Sequence, residues 1–159
     1  MAGKVSRDAE PTGKMKTPRA VLFLCGRNSI RSPMAEVLAR RVMPPSTFIA
    51  SAGVRPGERD PFVDAVLAER DLSLEDRRPR MLEELEDSNF DLVVTLAPEA
   101  HHAALELTRS MAVDVEYWPT LDPSVVEGNR EQILAAYREV RDDLARKIEQ
   151  RLGSAAIRA

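Results

Sequence analysis

Apolar residues follow two different spacings along this chain, and the two spacings alternate. Short continuous apolar runs predict buried strands at 20–24, 48–50, 92–96 and 113–118. Between and after them, helices are predicted at 32–43, 61–70, 80–87, 98–110 and 130–152. The last helix carries an apolar stripe at spacings of three and four, typical of core packing: Ile133, Tyr137, Val140, Leu144, Ile148 and Leu152. This alternation predicts a single-domain α/β fold, a three-layer α/β/α sandwich around a central four-stranded parallel sheet.

The length of 159 residues and the hydrophobic content of 43% fit one domain with a sizeable core. We expect this domain at 18–153, between a polar flexible tail at 1–17 and a short flexible end at 154–159. A net charge of −3 leaves no electrostatic footprint for nucleic acid. The chain shows neither a secretory signal nor a long apolar run, and its single cysteine suits a reducing compartment. We therefore expect a cytoplasmic protein with no nucleic-acid or membrane partner.

The segment 21–36, VLFLCGRNSIRSPMAE, predicts a strand that ends in a tight polar loop and is followed directly by a helix. Ser32 is expected to cap this helix, with Pro33 at its first position. The loop N–H groups and the helix dipole together form an anion cradle, which pushes the thiol of Cys25 toward thiolate. Arg31 adds a guanidinium fork suited to phosphate. The predicted phosphate-binding loop after the first strand consists of Gly26, Arg27, Asn28, Ser29, Ile30, Arg31 and Ser32.

This loop predicts phosphoryl chemistry through a cysteinyl intermediate. The alternative is that Cys25 is a buried small hydrophobic residue, as most lone cysteines are. Ligands of open α/β sheets bind at the carboxyl ends of the strands. Ser51, Ala97 and Asp122 follow the other three predicted strands, so the topology brings them to the edge where Cys25 lies. Asp122 is thus expected in the same pocket, although it is alternatively an ordinary turn residue before proline.

These residues, with others further along, resemble the low-molecular-weight protein tyrosine phosphatases and the arsenate reductases that share their fold. The matching positions cover roughly 18–152 and are Cys25, Asn28, Arg31, Ser32, Pro33, Ala35, Glu36, and the segments 51–53, 91–96 and 122–123. The resemblance implies hydrolysis of a phosphorylated protein or a small aryl phosphate, and we expect no cofactor. It implies that Cys25 is the nucleophile, that Arg31 stabilises the transition state and that Asp122 is the general acid and then the base. Loop support is implied from three residues: Asn28 bonds Ser51, and Ser32 donates its hydroxyl to the Cys25 thiolate.

The chain also departs from the family pattern. Arg27 stands where glycine is usual in many of the phosphatases, and it either binds substrate or faces solvent. Ile30 replaces a second cysteine, so an exposed Cys25 thiolate is expected to oxidise without internal rescue. Ser124 and Val125 replace aromatic residues that often stack on a tyrosine substrate, which weakens the argument for tyrosine over other phosphomonoesters.

Two further functions stay open on the sequence. One is a single-cysteine arsenate reductase, resolved by an external thiol such as glutathione, mycothiol or a glutaredoxin, since Ala97 and the residues to Ala112 supply no relay cysteine. The other is a non-catalytic module that binds phosphate or a phosphoprotein, although binding alone does not require Cys25. His101 and His102 adjoin on a predicted helix and face different directions, so we expect solvent-facing histidines and no metal site.

Overall fold

The computed structural model describes residues 17–85 and 89–153, so the end at 154–159 and all of the tail except Thr17 lie outside it. Within these residues the strands are β1 (Ala20–Cys25), β2 (Phe48–Gly53), β3 (Leu92–Thr95) and β4 (Asp114–Tyr117). The α-helices of the described segments are α1 (Arg31–Val42), α2 (Pro61–Ala68), α3 (Pro98–Leu107) and α4 (Arg130–Ile148). Short 3-10 turns lie at Leu82–Glu84 and Pro123–Val125, and α4 ends in a π-helical turn at Glu149–Gly153.

The four strands form one parallel sheet in the order β2-β1-β3-β4. All six residues of β1 are buried because helices cover both faces of the sheet. Along β1 the side chains alternate between two cores: Phe23 and Cys25 share one with α1, α2 and α4, whereas Leu22 and Leu24 share the other with α3. The predicted three-layer α/β/α sandwich is confirmed.

The strand order places the carboxyl end of β1 at the switch point of the sheet. From β1 the chain crosses to β2 on one side, then returns past β1 to form β3 and β4 on the other. The connections therefore leave in opposite directions around the end of β1, and this opens a crevice there. Cys25 is the last residue of β1, so it lies at this crevice.

Three sequence-based boundaries are wrong for identifiable reasons. The helix expected at 80–87 is only the 3-10 turn within the described residues, because Met81 bridges to Gly53 and the Arg80 carbonyl accepts from the Gly53 N–H at 2.9 Å. Ser51 lies inside β2 rather than after it, since pairing with β1 continues to Gly53. Ser32 does not cap α1; the capping position is Ile30, without a side-chain bond, and the Ser32 hydroxyl is used elsewhere.

An ion-pair cluster holds the end of α2 against α4. The Glu69 carboxylate lies 2.8 Å from Arg141 and 3.0 Å from Arg138, both on α4. Hydrogen bonds from Arg138 and then Arg141 lower the pKa of Glu69 to about 2, since both favour its charged form. Within the described part of the chain, no helix is long and apolar enough to cross a membrane.

Candidate active site

The thiol of Cys25 faces the first turn of α1. Its Sγ lies 2.9 Å from the Ser32 hydroxyl oxygen. That oxygen already accepts a hydrogen bond from the Asn28 side-chain amide at 2.7 Å, so the hydroxyl proton is available for donation. The Ala52 carbonyl, at 3.3 Å, is the more distant acceptor, and the sulfur is the nearer one. Ser32 can therefore donate to the sulfur of Cys25, whose thiolate is the form that acts as a nucleophile.

Cys25 is also more enclosed than the sequence indicated. Its residue is only 2% exposed, so the expectation of an exposed thiolate is wrong. The reading of Cys25 as an ordinary buried hydrophobic residue is incomplete, because its sulfur contacts the polar network of the loop. Ile30, the position of the missing second cysteine, is buried in the apolar core.

Asn28 holds the loop in its curved shape. Its φ of 59° is in the left-handed region, which asparagine adopts more readily than most residues. Its buried side chain donates to Ser32 and, at 3.0 Å, to Ser51, and it accepts from the Arg80 N–H at 3.0 Å. The expected Asn28–Ser51 bond is thus confirmed. These bonds fix the loop without using any side chain at the open face of the cradle.

A buried carboxylate, which sequence reasoning missed as a site residue, continues this network. Ser51 donates to Glu36 at 2.6 Å, and Glu36 is fully buried. Its second oxygen lies 2.8 Å from Arg40 and 3.1 Å from Arg77. The signal in the sequence was a glutamate inside the apolar stretch PMAEVLA, because a buried carboxylate requires charged partners. Glu36 thus links the loop to a cation one turn further along α1, Arg40, and to a cation on a distant segment, Arg77.

Arg31 and Asp122 meet at the mouth of the crevice, although ninety-one positions separate them in sequence. Arg31 donates to the Thr120 carbonyl at 2.9 Å and lies 3.9 Å from an oxygen of Asp122. The Asp122 side chain is 39% exposed, and its other oxygen accepts from the N–H and hydroxyl of Ser124 at 3.0 and 2.7 Å. Asp122 is therefore both a turn-capping residue and a carboxylate directed at the loop.

The remaining candidates lie around this centre with different exposures. Ala97 is buried two residues after the end of β3, at the N-cap position of α3, without a side-chain bond. His102 is exposed as expected, whereas His101 is only partly exposed: its Nδ1 lies 3.0 Å from the Thr95 hydroxyl, and its ring stacks on Tyr117. Burial lowers the pKa of His101, which favours the neutral ring. Among the described residues, no three metal-ligating side chains cluster.

Comparison with known proteins gives a consistent family. Residues 20–158 match the profile of the family described as "Low molecular weight phosphotyrosine protein phosphatase". Arsenate reductases of Bacillus licheniformis and Bacillus subtilis are 28% and 27% identical over 132 residues, which cover 83% of this chain and 94% of each relative. The tyrosine phosphatase amsI of Erwinia amylovora superimposes with a TM-score of 0.69 at 22% identity, covering 87% of this chain and 93% of that one. A structure described as a protein tyrosine phosphatase gives a TM-score of 0.67 at 28% identity, covering 88% and 98%.

Proposed function

This chain belongs to the low-molecular-weight phosphotyrosine protein phosphatase family, and from that premise we propose that it is a cysteine-dependent phosphatase. It hydrolyses phosphomonoesters, with phosphotyrosine or another aryl phosphate as the substrate class, through a phosphocysteine intermediate. The observation that carries the proposal is the approach of the Asp122 carboxylate to within 3.9 Å of Arg31, at the mouth of the loop that holds Cys25. A nucleophile, an oxyanion site and a proton donor then share one crevice.

In the first step, the Cys25 thiolate attacks phosphorus in line with the leaving oxygen. A sulfur–phosphorus bond forms while the phosphorus–oxygen ester bond breaks. Protonated Asp122 gives its proton to the departing phenolate, so no strongly basic oxygen is released. Arg31 and the N–H groups of residues 26–32 bind the three equatorial oxygens and stabilise their charge in the transition state.

In the second step, water attacks the phosphocysteine. The Asp122 carboxylate now takes a proton from that water, the sulfur–phosphorus bond breaks, and inorganic phosphate leaves. The thiolate of Cys25 is restored, and the Ser32 hydroxyl stabilises it as the leaving group. Asn28 and Ser51 do not touch the substrate in this scheme; they keep the loop in position.

A second candidate function is arsenate reduction, which is favoured by the names of the curated relatives. Cys25 would form a thiol adduct with arsenate and lose water. An external thiol such as glutathione, mycothiol or a glutaredoxin would then attack the sulfur of Cys25. Arsenic takes up two electrons, arsenite leaves, and the two sulfurs end as a mixed disulfide. The external thiol is required because the chain contains one cysteine.

A parallel assay tests the proposal. The purified protein is given an aryl phosphate without thiol and, separately, arsenate with each candidate thiol, with Cys25→Ser as the control in both. Thiol-independent release of phosphate, lost in Cys25→Ser, supports the phosphatase. Release of arsenite only with thiol supports the reductase. Tight phosphate binding with neither reaction would instead indicate a binding module.

For localisation, we propose the cytoplasm, where a thiol nucleophile stays reduced.

A further inference from the structure

The rim of the anion cradle carries a cation with no acidic partner among residues 17–85 and 89–153. Arg27, two positions after Cys25, is exposed. Its guanidinium donates to the Pro56 carbonyl at 3.3 Å, and no ion pair is formed with any described carboxylate. A guanidinium has five N–H donors, so most of its hydrogen-bonding capacity faces outward. Anchored at one donor, it is ready to bind an anion at the rim.

The backbone and Cβ of Arg27 are packed closely against two glycines. A Cβ added at Gly53 would lie 2.6 Å from the Arg27 carbonyl carbon, and one added at Gly57 would lie 2.7 Å from the Arg27 Cβ. Both contacts are closer than real side chains allow, so the segment after β2 packs directly on the loop. The backbone of this segment also bonds the loop: the N–H groups of Val54 and Arg55 each donate to the Gly26 carbonyl at 2.8 Å. A cation on a fixed base loses less conformational entropy when it binds a ligand.

The neighbouring cation is already neutralised. Arg55 lies 2.9 Å from Glu99, and this ion pair lies over Gly26, where an added Cβ would be 2.6 Å from the Glu99 carboxylate. Arg31 in turn is directed at the phosphoryl site and Asp122. Of these three arginines around the cradle, Arg27 alone is left without a countercharge in the described structure. Its charge is therefore available to a substrate group other than the phosphoryl group.

We propose that Arg27 binds a second anionic group of the substrate, next to the phosphoryl group held in the cradle. This inference rests on the proposed function and deepens it by naming the substrate class: phosphomonoesters with a carboxylate or second phosphate close to the scissile phosphate. A phosphopeptide with an acidic residue beside the phosphorylated residue belongs to this class. Arginine binds both carboxylate and phosphate in bidentate geometry, so either group satisfies the site.

The test compares two phosphotyrosine peptides that differ only by aspartate or asparagine beside the phosphotyrosine. We expect kcat/KM to be about 3–10-fold higher for the aspartate peptide, mostly through KM, and the preference to shrink at high salt. Arg27→Gln should bring this ratio close to one, and Arg27→Glu should invert it. Arg109→Gln, which changes an exposed arginine on the turn after α3, should keep the wild-type ratio. A third peptide, with phosphoserine in place of aspartate, separates the two possible anionic groups, carboxylate and phosphate. A larger gain in kcat/KM than with aspartate indicates that Arg27 binds a second phosphate.

The same peptides are also measured for binding to Cys25→Ser, so the inference is tested separately from turnover. A retained preference for aspartate in binding, lost on adding Arg27→Gln, supports the role of Arg27 even if no hydrolysis is found, in which case the proposed function fails. Hydrolysis with equal kcat/KM for aspartate and asparagine overturns the inference and leaves the phosphatase standing. An equal loss of kcat/KM for both peptides in Arg27→Gln also overturns the inference, because Arg27 would then act on the phosphoryl group that both peptides share.

Discussion

Replacing Glu36 by glutamine tests whether the buried carboxylate supports the active-site loop. Glutamine keeps the shape of the side chain but removes the charge that faces Arg40 and Arg77 and gives Ser51 a weaker acceptor. Removing one partner of a fully buried ion pair costs about 3–5 kcal/mol. The Arg40 and Arg77 side chains are 46% and 28% exposed, so water compensates part of the loss. We therefore expect Glu36→Gln to lower the free energy of unfolding by about 2–3 kcal/mol.

For a domain of this size, that loss corresponds to a fall in Tm of about 5–10 °C. Urea unfolding followed by circular dichroism measures the change in the free energy of unfolding directly. Glu106→Gln is the matched control, because Glu106 is an exposed glutamate whose nearest arginine lies at 3.5 Å, and its change should stay within about 0.5 kcal/mol. Turnover of an aryl phosphate at a temperature where both variants are folded should also fall in Glu36→Gln. Wild-type stability and turnover in Glu36→Gln would refute the reasoning that the carboxylate holds the loop.

Three further predictions follow from the site and the fold. Asp122→Asn should lower the rate by about 10²–10⁴-fold on phosphotyrosine peptides, and by less on nitrophenyl phosphate, whose leaving group needs no proton; equal losses on both esters would mean a structural role. Prolonged peroxide should oxidise Cys25 beyond recovery by reductant, and bound phosphate should slow this because it would occupy the proposed cradle next to the sulfur; full recovery of activity would contradict it. Glu69→Gln should be less stable than wild type above pH 4.5, and the difference in stability should vanish as the pH falls to about 2, where folded Glu69 takes up its proton. If urea titrations show the same difference at every pH, the ion pairs to Arg138 and Arg141 are not its cause.

The sequence was sufficient to predict the architecture because the strands of a parallel sheet are buried on both faces. Such strands appear as short continuous apolar runs, and β1 and β3 are examples. The meeting of Asp122 with the loop of Cys25 also followed from topology, since both lie beyond carboxyl ends of strands in one sheet. Periodicity carries less information at short elements: a longer helix was expected where the structure has the turn at Leu82–Glu84. The bridge from the preceding Met81 to Gly53 depends on tertiary contacts.

Individual side-chain contacts were harder to predict. Ser32 was expected to cap α1, because serine is a common cap, but its hydroxyl is used by Cys25 and Asn28. Glu36 appeared only as one member of a motif, since a sequence does not show that Arg77 folds back onto it. The enclosure of Cys25 was missed as well, because exposure depends on how the loop curves around the sulfur. The Glu36–Arg77 pair depends on segments far apart in the chain, whereas the contacts of Ser32 with Cys25 and Asn28 depend on the curvature of the loop.

Direct observation of the covalent intermediate tests the central claim. A phosphotyrosine peptide is mixed with excess enzyme in the absence of thiol, the reaction is stopped by a rapid denaturing quench, and the peptide that contains Cys25 is examined by mass spectrometry. We predict that one phosphoryl group appears on Cys25 early in this single turnover, decays as phosphate is released, and is absent in Cys25→Ser. Hydrolysis of the peptide with Cys25 unmodified at every time point, or undiminished turnover in Cys25→Ser, would contradict the assignment of Cys25 as the nucleophile.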